Sequence, residues 1–567
     1  MRIAVVTALL AVLVSQRAQA ATSGDGQRLL GPGGAPLYIT GMNYEGPADR
    51  AWQMWDSDKF DPNLIDADFL KASETAGVNV LRIFVQAGLV TDLVAGKWDK
   101  LDKVVDLAEK HHLQLILSLH DYDEWDLAKV SALAGQIAQR YRNRPGVLAF
   151  DLKNEPHFGD LALTKYASPV PLQQHGLIDT FGEQFPRDQL ADYRASADGM
   201  KTVPSSLSDD QAYIYVNNLQ LYRAMVADAA TWVKAHGGTT LDYLASPDSQ
   251  KWAPLVNALN QTLQAWIQPQ LDAITAADPG RMVTVDHVDV ILASQPANDV
   301  LDYESLHRYP AATGSSIRAN LSLLATVERA HPGKPVVLSE FGYATDSLDA
   351  STASLNEMAI QLGLLAQHAA GGAKWMLNDM PPGYNQRERT LGAFQLDGTP
   401  KPVVGAMAAL RKYLDASGSQ PGTLKLDDDP DTGTRYVYRA DDALMLGGKS
   451  VDGGAASFQA PGASQLFLTW TKPGVVDVWA SGPLTATVNL GQLLGGSAPQ
   501  DARTLNLAAG YSSIQVAGGN VTVAADYDVP GGHFFTQTNG NGSTAGFSVT
   551  DDGGIPMWTS LKSLGGT

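Results

Sequence analysis

Between residues 37 and 416 short, nearly continuous apolar segments alternate with segments of helical periodicity, and this alternation restricts the fold more than any other property of the chain. A strand that is apolar on both faces has to be covered on both faces, which is the condition of a parallel sheet wrapped by helices. The strand candidates are residues 37–43, 78–85, 113–120, 147–154, 281–287, 300–307, 334–340 and 373–378. Helix candidates lie between them. Leu101, Val104, Val105 and Ala108 recur on one helical face, and residues 66–77, 127–142, 351–370 and 401–416 follow the same period. Eight strands with intervening helices predict an α/β fold, a (β/α)8 TIM barrel whose active site lies at the C-terminal strand ends. The competing arrangement, an open doubly wound sheet, lacks its usual mark, since no Gly-rich phosphate loop follows the first strand.

The alternation is interrupted once. Between Pro156 and Asp278 lies a stretch too long for a structureless loop. It has apolar periodicity of its own at 219–236 and 255–277. It reads as a helical insertion after strand 4, about 157–254, whose last helix completes the fourth unit. After residue 416 the composition changes. Residues 417–433 are turn-rich and charged, as a linker is. Short strand candidates follow at 435–438, 465–470, 475–479, 485–490 and 520–525, which predicts a C-terminal all-β, sandwich-like domain over 434–530. An exposed Trp470 or Trp479 would let that domain bind glycan; buried, they would leave it a brace for the barrel. The segment 531–567 is too short for a core of its own and reads as part of that domain or of a further module.

The bulk numbers narrow the function. Net charge is −19 with no basic block, so nucleic acid and anionic lipid are poor partners, whereas a neutral substrate meets no obstacle. Cysteine is absent, which removes disulfides, thiolate chemistry and cysteine-ligated metal. Residues 1–20 carry Arg2, an apolar run from Ile3 to Val14 and Ala18-Gln19-Ala20. That is the three-part pattern of a secretory signal, and its run is too short to span a bilayer. The expectation is a secreted protein, extracellular or periplasmic, with 21–416 as barrel and no membrane span after signal removal. Oligomeric state has no signature in the sequence.

Chemistry collects at the predicted strand ends. The fourth strand stops at Asn154-Glu155-Pro156 and the seventh at Glu340-Phe341-Gly342. Pro156 cannot donate a ladder hydrogen bond and biases Glu155 away from helix, so the carboxylate projects beyond the sheet. Arg82 lies on strand 2, His120 ends strand 3, His307 and Tyr309 follow strand 6, and Trp375 lies on strand 8. Each alone is compatible with packing or structural hydrogen bonding; their order around one barrel is not easily assigned to packing.

This set resembles glycoside hydrolase clan A, most closely the family 5, cellulase-like retaining glycosidases. Asn-Glu-Pro after strand 4 and Glu-Phe-Gly after strand 7 are its most specific marks, and residues 391–402 resemble that family's closing hairpin. The resemblance implies Glu155 as acid/base and Glu340 as nucleophile. It implies that Asn154 bonds the sugar 2-hydroxyl, that His120, His307 and Trp375 line the same subsite, and that Arg82 and Tyr309 support Glu340. The chain departs from the family in its long insertion and in an aromatic-rich first loop, residues 44–55, both of which reshape the cleft.

These roles have a physical reason. A nucleophilic carboxylate must be ionised, which a neighbouring Arg82 favours, and the acid must start protonated, which burial and a nearby negative charge promote. Retention requires the two carboxyl groups about 5–5.5 Å apart. Sugar rings present apolar C–H faces, so Tyr44, Trp52, Trp55, Tyr122, Trp125, Phe158 and Tyr384 are candidate platforms in loops after strands, with Trp52 and Trp125 foremost. The alternative is that these rings pin the loops to the barrel. The chemistry calls for a carbohydrate substrate and no cofactor, and no H-x-H or other close ligand cluster predicts a metal. Two other readings stay open: a transglycosylase using the same covalent intermediate, and a non-catalytic secreted carbohydrate-binding protein.

Overall fold

The computed structural model describes residues 28–526 except 32–33, 123, 157–160, 162–176, 204, 206, 313, 383–387, 418–424, 427–434, 441–442, 453–455, 473, 490–501 and 518–519. The signal segment 1–20, Phe158, Tyr384 and the segment 531–567 lie outside the described residues.

Eight parallel strands close on themselves: β1 (Ile39–Tyr44), β2 (Val80–Gln86), β3 (Gln114–Asp121), β4 (Val147–Asn154), β5 (Met282–His287), β6 (Glu304–His307), β7 (Val336–Phe341) and β8 (Gly371–Lys374), with β8 pairing β1. The open sheet is thereby excluded. Closure depends on a glycine: a Cβ on Gly371 would overlap the Ile39 backbone, while one on Gly372 would meet Leu364 Cδ1 of the covering helix at 2.9 Å. Only a residue without a side chain lets β8 approach β1 this closely. The apolar pattern puts strand 8 two residues later, at 373–378, because this Gly-Gly pair looks like a turn. The expected strand 6 also begins too early. Pro296–Val300 is a single 3-10 turn, and pairing starts only at Glu304.

The barrel interior is layered. Ile39, Val80, Ile116, Ala149, Met282, Tyr303 and Val337 form an apolar plug at its lower end. Above it Asn43, Arg82, Asp151, Asp286, Ser305 and Ser339 are buried and bonded to one another. The outer helices turn their apolar stripes inward. On α1 (Asp99–Lys110) the buried residues are Leu101, Val104, Val105, Leu107 and Ala108. On α2 (Leu127–Arg140), capped by Asp126 accepting from Ala128 N, they include Val130, Leu133, Ala134 and Ile137.

The insertion is helical. Its longest member, α3 (Asp209–His236), starts ten residues before the periodicity at 219. Ser208 and Gln211 form a reciprocal capping box there, a local signal written in the sequence as Ser-x-x-Gln. The last helix, α4 (Ala253–Ala277), packs on α2.

The C-terminal strands β9 (Lys425–Leu426), β10 (Arg435–Ala440), β11 (Ala443–Asp452), β12 (Ala456–Lys472), β13 (Val475–Ala480), β14 (Leu484–Asn489), β15 (Ala502–Leu507), β16 (Gly510–Ala517) and β17 (Asn520–Asp526) form one antiparallel network. The long β12 pairs β11 on one side; on the other its start pairs β14 and its end β13. This network sits on α5 (Ala350–Ala366) and α6 (Pro402–Ser417) of the barrel. Phe467, Trp479, Met445 and Tyr511 join the same continuous apolar core as the barrel residues. Trp479, a candidate glycan platform on the sheet, is 1% exposed and belongs to that core; the side chain of Trp470 lies outside the described residues.

Candidate active site

Arg82 is the centre of the polar layer. It projects from β2 into the barrel, is fully buried, and its guanidinium faces five groups. One NH group donates to Glu340 Oε1 at 2.7 Å and to Asn43 Oδ1 at 3.1 Å. The other donates to Asn154 Oδ1 at 2.7 Å and Asp151 Oδ2 at 3.0 Å. Its Nε lies against Asp286 Oδ2. A single cation therefore faces three buried carboxylates. Burial and Asp286 push Asp151 up to about 6 against the pull of Arg82. Asp286 goes the other way: against burial, Arg82 and His307 hold it well below the usual carboxylate range. Asp151 and Asp286 are absent from the residues singled out in the sequence. A signal for them exists, since each is a charge set inside an otherwise apolar strand.

The two glutamates stand at the ends of β4 and β7. Glu155 follows β4 and Glu340 lies in β7; they are 5% and 3% exposed. The pairing of β4 with β5 slips between Asp151 and Asn154, and that of β6 with β7 slips between Leu306 and His307. Such irregularities re-aim the side chains that follow them. Glu155 itself takes φ 44°, a left-handed conformation that costs a non-glycine residue roughly 1–2 kcal/mol. Its N–H is held by Asp286 O at 3.0 Å.

His307 bridges the pair. Its Nδ1 is 2.8 Å from Glu155 Oε1 and 3.3 Å from Glu340 Oε2. Burial disfavours a charged ring, but Glu340, Asp286 and Glu155 push it up to about 10, a shift that favours the imidazolium. Tyr309 donates to Glu340 Oε2 at 2.8 Å. Glu340 thus receives Arg82 on one oxygen and Tyr309 on the other. Burial nevertheless pushes it up to about 7, with Glu155 adding to the push and His307, Arg82 and Tyr309 opposing it. The expected influence of Arg82 is present, and burial outweighs it.

Glu155, His307 and Glu340 each offer one ligand atom within 4.8 Å of the others, a spacing that could also hold a cation.

Asn154 turns its carbonyl oxygen to Arg82, which leaves its amide nitrogen as the end for a ligand. His120 is buried beside Tyr122, ring centroids 4.7 Å apart. Trp375 follows β8 directly and packs edge-on against Phe84 at 5.8 Å and tilted against Trp52 at 6.0 Å. Trp52 is 38% exposed, so it has a free face as well as a packed one. Trp125 is half-buried and packs against the apolar cluster of the inserted helices, Leu190, Val203, Leu207 and Ala212 among them. Tyr44 and Trp55 are buried: the first donates to Asp68 Oδ2 at 2.9 Å and the second to Phe84 O at 2.8 Å. Tyr44 thus ties the end of β1 to the helix Pro62–Leu70, and Trp55 fastens the first loop to β2.

Residues 32–173 match the family model of cellulase, glycosyl hydrolase family 5. That span holds β1 to β4 with Trp52, Arg82, His120, Trp125, Asn154 and Glu155; His307, Tyr309, Glu340 and Trp375 come from the chain beyond it. Among solved structures the chain is similar to an exo-β-1,4-mannosidase, Op5Man5, from Opitutaceae bacterium strain TAV5, at 16% identity and TM-score 0.45, covering 71% of this chain and 63% of that one. The chain therefore spans less than two thirds of that relative. It is also similar to a GH5_18 protein from Streptomyces cattleya in complex with Manβ1-4GlcNAc, at 14% identity and TM-score 0.42, covering 67% and 82%. Likenesses this distant say nothing of substrate. No curated protein matches the chain. The chain is thus similar to the glycosyl hydrolase family 5 cellulases over its first four strands, and it carries paired carboxylates at the open end of its barrel.

Proposed function

We propose that this protein is a secreted glycoside hydrolase that cleaves β-glycosidic bonds of a poly- or oligosaccharide with retention, by double displacement. The observation that supports the reading is the closeness of Glu155 and Glu340, whose facing oxygens lie within 4.8 Å of one another. A gap this narrow leaves no place for the water of an inverting mechanism. In the first step a Glu340 oxygen attacks the anomeric carbon while Glu155 gives its proton to the departing glycosidic oxygen. The C–O bond breaks and a glycosyl ester forms. In the second step Glu155 takes a proton from water, the resulting hydroxide attacks the same carbon, and Glu340 leaves as carboxylate. Tyr309 and Arg82 receive the returning charge. Trp52 and Trp375 offer aromatic faces to the sugar, and the Asn154 amide is placed for the 2-hydroxyl.

Proton NMR of early turnover on a polysaccharide or aryl β-glycoside panel tests this, with Glu340→Ala as control. The expected first product is the β-anomer. An α-anomer appearing first, or undiminished turnover in the control, overturns the proposal.

A further inference from the structure

Glu45 follows directly on β1 and is 3% exposed. Its Oε2 accepts from Gln86 Nε2 at 2.9 Å, and the same nitrogen reaches Asp121 Oδ2 at 3.3 Å. Its Oε1 is buried and, among the described residues, has no hydrogen-bond partner. Leaving such an oxygen unmet is unfavourable, a cost that a ligand hydroxyl would remove. Gln86 and Asp121 end β2 and β3, so three polar side chains stand together at the C-terminal ends of adjacent strands, the face on which barrels bind ligands.

A second unmet group lies in the same quarter. The indole Nε1 of Trp375 is also buried without a hydrogen bond to any of the described residues. Trp52 connects the two: its ring packs on Trp375 and its backbone N–H donates to Glu45 O at 3.0 Å. In the closed strand order β8 stands opposite β4, so Trp375 and the neighbouring Glu45 lie across the mouth from Glu155. The leaving group belongs on the side of Glu155, which places the glycone ring towards Trp375 and Glu45. Burial first, and then Asp121, drives Glu45 towards its neutral form, with Gln86 and Arg82 opposing. A neutral carboxyl both gives and accepts a hydrogen bond, as a sugar hydroxyl does.

We propose that Glu45 is a specificity-determining residue whose Oε1 bonds a ring hydroxyl of the glycone, in an acidic setting with Asp121 that selects a neutral sugar over a uronate. The proposal rests on the glycosidase reading and names the group that reads the sugar.

The test pairs one residue with one hydroxyl. Wild type, Glu45→Gln and Glu45→Leu are assayed on 4-nitrophenyl β-D-glucoside and β-D-mannoside, on their 3-, 4- and 6-deoxy analogues, and on the β-D-glucuronide. One deoxy position should lower the wild-type kcat/KM about 10- to 100-fold. Glu45→Leu should lose a similar factor on the parent sugar and no longer distinguish that analogue, with Glu45→Gln in between and the glucuronide the poorest substrate. Equal losses on parent and every analogue, or a glucuronide cleaved as well as the glucoside, overturn the proposal. Calorimetry with cellotriose and mannotriose in Glu155→Ala reads the contact without turnover. Adding Glu45→Leu should weaken binding about 10-fold, and unchanged affinity overturns the assignment of Glu45. Activity persisting in Glu340→Ala instead overturns the glycosidase reading.

Discussion

Arg82 has one positive charge to divide among Asp151, Asp286 and Glu340, all of them buried. Removing a buried partner strands the charges it matched, at a cost of about 3–5 kcal/mol. Arg82→Met should therefore lose stability of that order in urea unfolding, together with activity; a stable but inactive variant would confine Arg82 to catalysis. In the proposed mechanism Glu340 must be ionised to attack, and burial has pushed it up to about 7. The charged form gains as pH rises, so kcat/KM should climb through about pH 7. Tyr309→Phe removes a donor that favours the charged form, so this limb should move to higher pH, as a pH–rate profile will show. Glu155→Ala should lower turnover about 10²- to 10⁴-fold on glycosides with poor leaving groups, and much less on 2,4-dinitrophenyl glycosides, whose departure needs no proton.

At the scale of elements, the strands place the chemistry and the irregularities in their pairing aim it. The slips before Glu155 and beside Glu340 have no counterpart in apolar periodicity, which gives the strand but not its register. The insertion depends on its own local signals. Ser208 accepts from Gln211 N and Gln211 reaches back to Ser208 N. Ser208→Ala should cost about 1 kcal/mol of stability, read by chemical denaturation, with little change in kcat on a small aryl glycoside.

For the molecule as a whole, the C-terminal sheet and the barrel share one apolar core. Gly447 lies against Leu355 of α5 so closely that a Cβ there would overlap that side chain. Gly447→Val should lower stability by about 1–3 kcal/mol and leave kcat/KM on a small glycoside near wild type, since the contact is remote from the carboxylates. Phe467 packs edge-on against Tyr413 at 6.4 Å, and Gln465 Nε2 bonds Ser351 O, so the sheet covers the outer faces of two barrel helices. This bracing explains why Trp479 is buried instead of presented to solvent.

Apolar periodicity, the strand-end glutamates and the Asn-Glu-Pro and Glu-Phe-Gly endings were sufficient for the barrel and for Glu155 and Glu340 as a pair, because strand order and the face of a barrel that carries chemistry follow from local pattern. Sequence could not tell which aromatic rings face sugar: Tyr44 and Trp55 are buried, while Trp52 keeps an exposed face, and the difference lies in what folds over each ring. Nor could it assemble Arg82 with Asp151 and Asp286, or His307 between the two glutamates. Those contacts join strands far apart in the chain, and only closure of the barrel brings their side chains within hydrogen-bonding distance.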